Sequence, residues 1–132
     1  MATHTHERTL TTPNGAINYQ EAVTDGTESN LTCTIPAGST DLCRLWTVDI
    51  TQLKSLFIGC KSGDLTIETN NPGGASASPD DTLTLLEDQP VDWAYGDVMS
   101  HPLTADVTQI WVTNAGDADV DLECRALMDE AL

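Results

Sequence analysis

Histidine, cysteine, serine and carboxylate side chains are the groups with which this sequence can do chemistry, and their spacing decides which chemistry is open. The four cysteines are Cys33, Cys43, Cys60 and Cys124. No pair has the roughly two-to-four-residue spacing of a zinc knuckle, so a metal site would have to be assembled from distant strands. Three of the four fall in phase with the apolar residues of strand-like runs, and Cys43 opens another run. They read first as small buried hydrophobes in a reducing cytoplasm. One or two disulfides, formed after release into an oxidising medium, are the alternative, and their pairing stays open. His4 and His6, with Glu7, have a spacing that can catch a metal, but they lie on a segment expected to move. His101 stands between Ser100 and Pro102. Neighbours in an extended chain point opposite ways, so Ser100 is not its nucleophile, and no GxSxG elbow is present. No catalytic residue is predicted.

Carboxylates are the most abundant of these groups: 21 Asp+Glu stand against 5 Lys+Arg, a formal charge of -16. A glycosidase-type pair needs a cleft, and such clefts usually carry aromatic platforms. Aromatic residues are 5% of the chain, and the acids read instead as a solvated, solubilising face. Asp117, Asp119 and Asp121 alternate as the acids of calcium loops do. In an EF-hand the glycine follows the third acid and a bidentate glutamate closes the loop. Here Gly116 precedes the acids and Asp121 already lies in a strand-like run, so a hairpin turn is the simpler reading. These three aspartates are the residues to test for calcium; no cofactor is expected. Trp93 and Tyr95 form the one aromatic cluster, either plugging an end of the fold or offering a docking or sugar-stacking patch.

Such an acidic chain repels phosphate backbones and anionic membrane surfaces, which argues against both as partners. No run approaches the roughly 18 apolar residues of a membrane span. The N-terminus lacks the apolar middle of a signal peptide. A soluble product made in a cytoplasm is expected.

The elements that must position these groups are strands. Leu31, Cys33 and Ile35 alternate with threonines; Cys43, Leu45 and Thr47 oppose Arg44, Trp46 and Val48. Leu56, Ile58 and Cys60 form another run, as do Leu65, Ile67 and Thr69, then Leu83 and Leu85. Thr108, Ile110 and Val112 oppose Val107, Gln109 and Trp111; Val120, Leu122, Cys124 and Ala126 oppose Asp121, Glu123 and Arg125. With residues 16–23 as a further strand, this predicts an all-β fold of about eight strands. The architecture expected is an antiparallel β-sandwich, a jelly roll or a related Greek key. Asp49 is placed to cap one helical turn over residues 49–54. Hydrophobic residues are 39%, so the core should be thin. Residues 1–15 read as a polar arm ordered only by a partner, with Thr9 and Leu10 as candidate contacts, and residues 16–132 as the single domain. Residues 70–81 read as a long loop of small residues. Large residues on second faces of strands (Trp46, Val48, Trp111) suggest a homo-oligomer, a trimer first.

The order Leu83-Thr84-Leu85, Pro90-Val91-Asp92-Trp93, His101-Pro102-Leu103, Val107 through Thr113-Asn114, and Val120 through Leu127 has a further meaning. A strand, a tryptophan-bearing loop, a strand ending in Thr-Asn, an acidic hairpin and a last strand with Arg125 follow one another. Over residues 45–127 this resembles the small β-sandwich decoration, or cement, proteins on the heads of tailed bacteriophages. The resemblance implies a non-enzymatic virion protein on the capsid exterior, bound to the major capsid protein; Trp93, Tyr95 and Trp111 are candidate partner contacts. A carbohydrate- or receptor-binding module is the alternative.

Overall fold

The computed structural model describes residues 2–70 and 78–129. Ten strands lie among them: β1 (Ala2–Thr12), β2 (Gly15–Asp25), β3 (Thr27–Ile35), β4 (Leu42–Val48), β5 (Leu53–Lys61), β6 (Leu65–Thr69), β7 (Asp81–Leu85), β8 (Val91–Ala94), β9 (Val107–Thr113) and β10 (Val120–Met128). β3 to β10 form two four-stranded antiparallel sheets, ordered β3-β10-β5-β8 and β4-β9-β6-β7. Four of the pairings are nested: β3 with β10, β4 with β9, β5 with β8, β6 with β7. The chain is thus one long hairpin rolled over itself, which is the wrapping of a jelly roll.

The period-two reading places the core correctly along most strands. Leu122, Cys124 and Ala126 point inward from β10, and Leu56, Ile58 and Cys60 from β5. Leu65 and Ile67 face them from β6, and Leu83 and Leu85 from β7. Asp121 stays on the outer face and is exposed. Trp46 and Val48 also point into the core, so they are not on a second face; Leu45 and Thr47 are the residues of β4 left outside. Trp46 Nε1 donates to the Ser29 carbonyl at 3.1 Å, tying the two sheets together at their β3–β4 edge. On β9 the pairing with β4 slips between Leu45 and Val48, and the irregularity turns Val107 inward with Ile110 and Val112. Strict alternation had put Val107 on the other face. Asp49 caps a short 3-10 turn at Ile50–Gln52, its carboxylate accepting from the Thr51 amide at 3.0 Å.

Two sequence expectations need correction. From residue 2 on, the expected arm is a hairpin strand: β1 pairs with β2 along its whole length, Ala2 against Asp25 and Thr12 against Gly15. A boundary at residue 15 would cut this hairpin at its turn, and residues 16–23 belong to the hairpin, not to the sandwich. Residues 91–94, expected in a loop, are β8, an edge strand against β5. Of the expected loop at residues 70–81, residues 71–77 lie outside the described residues. At its near end Asn70 Nδ2 donates to the Asp80 carboxylate at 2.7 Å and to the Asp106 carbonyl at 2.6 Å.

Candidate functional site

The β1–β2 hairpin crosses the outer face of the β3-β10-β5-β8 sheet, and the groups able to do chemistry converge beneath it. Ser55, on β5, pairs with Ala94 on β8 and Leu127 on β10, and all three are wholly buried. Their side chains leave the sheet on the face opposite the sandwich core, so the hairpin is what covers them. His4, His6 and Arg8 alternate along β1 and therefore share one face. That face meets the sheet. His6 Nε2 lies 2.7 Å from Ser55 Oγ, and His4 Nδ1 lies 2.8 Å from the same oxygen. The outer nitrogen of each ring meets a carboxylate: His6 Nδ1 meets Asp92 Oδ1, and His4 Nε2 lies 3.0 Å from Glu28 Oε1. Arg8 completes the row, donating through Nη2 to Asp97 Oδ2 at 2.9 Å and to the Asp92 carbonyl at 3.2 Å.

Counting hydrogens constrains this network. Each outer ring nitrogen facing a carboxylate carries a hydrogen, so the inner nitrogen of a neutral ring can only accept. Ser55 has one hydroxyl hydrogen and can donate to one imidazole. Its oxygen can accept from the other, so a single hydroxyl can bridge the two rings. The attachment therefore joins two imidazoles and Arg8 to Asp92, Glu28 and Asp97, with Ser55 Oγ between the rings. Burial pushes the Asp97 carboxyl up, but the Ala94 amide and Arg8 outweigh it and hold the group below the usual carboxylate range. The hydrogen bond from His4, helped by Asn30, holds Glu28 low as well.

Asp92, His6 and Ser55 have the connectivity of an acid–base–nucleophile triad. The geometry argues for a latch. Ser55 has 0% of its surface exposed, and the cover is the strand that carries both imidazoles.

Beside the latch runs a groove of about 480 Å³ lined by His4, His6, Glu28, Phe57, Asp92 and Arg125. It adjoins a second one of about 720 Å³ over the uncovered part of the same sheet, where Phe57 and Gly59 lie among Lys61, Asp88, Asp121 and Glu123. A Cβ at Gly59 would stand 3.1 Å from both the Phe57 ring and Pro90 Cβ, so glycine lets the ring lie across the strand.

The residues singled out from the sequence are scattered. Thr9 and Leu10 project from opposite faces of the hairpin, both exposed. Trp93 packs against the core and meets His101 edge-on at 4.8 Å, so it plugs the fold. Tyr95 is exposed, with Lys54 Nζ 3.9 Å above its ring. Trp111 is half-buried on the outer face of the other sheet, opposite Cys43 and Glu68, and its buried Nε1 has no hydrogen-bond partner. The three candidate calcium aspartates are not brought together. Asp119 accepts from the Ala37 amide at 3.0 Å, Asp121 accepts from Thr34 across the strand pair at 3.0 Å, and Asp117 is exposed. Among the described residues no group of three or more His, Cys, Asp or Glu side chains is placed to hold a metal ion, His4, His6 and Glu7 included. All four cysteines are free thiols. Burial pushes Cys33, Cys60 and Cys124 up from the ordinary thiol range.

Ser55, Asp92, Glu28 and Asp97 were not found by sequence reasoning. The available signal was the alternation His4, His6, Arg8, Leu10 against Thr3, Thr5, Glu7, Thr9, a strand pattern whose inward face is cationic where an apolar one is looked for. Comparison of the chain with protein-family models, curated proteins and solved structures gives no match.

Proposed function

We propose that this chain is a non-enzymatic virion structural protein, a decoration or cement protein that binds the exterior of a phage capsid and stabilises it. The observation that carries the reading is the jelly roll itself, with its triad-like residues sealed under a hairpin and a net charge of -16 on what remains outside. A protein held in many copies on a lattice gains from like-charge repulsion in solution and from several weak contacts acting together once bound. The resemblance of residues 45–127 to such proteins supports the same role, with the major capsid protein as partner and the capsid exterior as location. The test is cryo-electron microscopy of purified particles of the phage encoding this chain. Jelly-roll density at regular positions on the shell is the expected result; particles lacking the chain overturn the proposal.

The groove over Phe57 favours a second reading, a carbohydrate- or receptor-binding module. An aromatic ring flanked by Asp88, Asp121, Glu123 and Lys61 can stack on a sugar and bond its hydroxyls. Tyr95 suits that role less, because Lys54 occupies one face of its ring. Glycan-array binding abolished by Phe57→Ala would establish this reading; an array without hits would dismiss it.

A further inference from the structure

The docked hairpin displays what the outer face of the β3-β10-β5-β8 sheet accepts: a strand whose alternate side chains, His4, His6 and Arg8, meet carboxylates. It covers one row of that face, the cross-strand partners Leu127, Ser55 and Ala94. Side chains two residues along a strand return to the same face. The next row is therefore Arg125, Phe57 and Asp92, again cross-strand partners, and the row after it holds Glu123 and Gly59. Phe57, Asp92, Glu123 and Arg125 are half-buried and stand beside the hairpin. The grooves of about 480 Å³ and 720 Å³ run over these rows and share Phe57.

On the hairpin side, the wall of the first groove is the run His4, Thr5, His6 and Glu7. Successive side chains of a strand point to opposite faces, so a groove touched by four in a row follows the strand's edge. That edge of β1 is unpaired: among the described residues its sheet has two strands, and β2 holds the other side. No proline or glycine interrupts it. A free edge offers a row of main-chain N–H and C=O groups to an incoming strand. A strand added there would lie about 4.8 Å from β1, over the Arg125–Phe57–Asp92 row. The charge around it is one-sided. Glu7, Glu28, Asp92, Glu123, Asp121 and Asp88 line the two grooves, against Lys61 and Arg125, and Arg125 is already held by Glu123 at 3.0 Å.

We propose that an extended, basic segment of another protein adds to the free edge of β1 as a third strand, its lysine or arginine side chains at alternate positions reaching the carboxylates around Phe57. Main-chain hydrogen bonds to β1 supply affinity, and the alternate side chains supply specificity. A lysine or arginine stem lies against the Phe57 ring while its head meets Glu123 or Asp92. The sheet face thus takes from a partner, one row further along, the chemistry it already takes from His4, His6 and Arg8. A second copy does not supply the segment: its own cationic strand is docked, and bodies of charge -16 repel one another. The capsid and glycan readings place no strand on β1, so the proposal goes beyond both.

The test is titration of the whole chain with a short capped peptide that alternates lysine and threonine, read by calorimetry and by hydrogen exchange. Binding is expected to weaken as salt rises and to slow exchange of the amides of residues 4–7, while those of β4, an edge of the other sheet, stay unchanged. N-methylation of alternate peptide residues keeps the charge and removes the main-chain donors of one edge. Methylated on the edge that meets β1, the peptide should bind about tenfold more weakly or worse; methylated on the other edge, it should bind as before. Glu123→Gln should weaken binding about fivefold, and Glu68→Gln, on the outer face of the other sheet, should not. Absence of binding overturns the proposal. So does binding indifferent to both methylation patterns, or weakened equally by the two substitutions, which marks attraction to a charged body without a site. Glycan-array hits without peptide binding give the groove to a sugar and overturn it as well. Particles that carry the chain while the peptide stays unbound sink the added strand and leave the proposed function standing.

Discussion

Replacing Asp92 with alanine tests the latch at its centre. Asp92 Oδ1 holds His6 Nδ1, and Oδ2 accepts from Arg8 Nε at 3.4 Å. His6 is buried, so Asp92→Ala takes the acceptor from a ring nitrogen that only the adjoining groove can hydrate. A buried donor stripped of its acceptor costs about 1–3 kcal/mol, and hydrogen bonds to charged groups lie in the upper part of the range. The Arg8 contact is long and partly exposed, and adds little. A loss of about 2–3 kcal/mol raises the undocked population roughly 30- to 150-fold. The core cluster draws on no residue of β1 or β2, so the loss should fall on the hairpin. Native-state hydrogen exchange reads this directly. Amides of residues 2–25 should lose protection by that factor, while those of β5, β9 and β10 hold theirs. Asp92→Asn keeps an acceptor for Nδ1 and should lose about half as much free energy. Unchanged hairpin amides in Asp92→Ala, or equal loss across both sheets, would refute the latch.

Acid should open the same hairpin. Asp97 and Glu28 are held below their ordinary values, so the stability they contribute is complete above the usual carboxylate range and is lost as pH falls through the lowered folded values. Exchange protection of residues 2–25 should therefore fall below about pH 4, ahead of the sandwich. Asn114 is buried where β9 turns toward β10; its Nδ2 donates to Ile35 O at 3.0 Å and Ala118 O at 2.9 Å, and its Oδ1 accepts from Gly116 N at 3.0 Å. Asn114→Ala should cost about 2–4 kcal/mol in urea unfolding, because a buried carbonyl loses its donor. Cys33, Cys60 and Cys124 are raised by burial and stay protonated at neutral pH. Cys60 and Cys124, which are buried, should react slowly with a disulfide reagent until denaturant is added, and a fast reaction at either would contradict the packing.

The sandwich was legible because its strands obey one rule: apolar in, hydroxylated or charged out. Leu122, Cys124 and Ala126 are buried where alternation puts them. Alternation failed where a local irregularity changed the count, as at Val107, and where a strand was only four residues long, as at β8. The hairpin was illegible for a different reason. Its inward side chains are His4, His6 and Arg8, residues that suggest solvent until the acids receiving them are located. Those acids are remote in sequence: Asp92 lies 86 residues from His6, and Asp97 89 residues from Arg8. Periodicity reports the face a residue occupies and cannot report a charge on another strand.

The nesting of β3 with β10 also fixes an order of events during synthesis. The first strand of the sandwich has no sheet neighbour until β10, at the far end of the chain, has left the ribosome. β6 and β7 can pair early, and closure then proceeds outward from the middle of the sequence. Loop-closure entropy makes such distant pairings slow. Until the last strand arrives, β3 presents two open edges, and the acidic composition that the finished protein wears outside protects the nascent chain from aggregation.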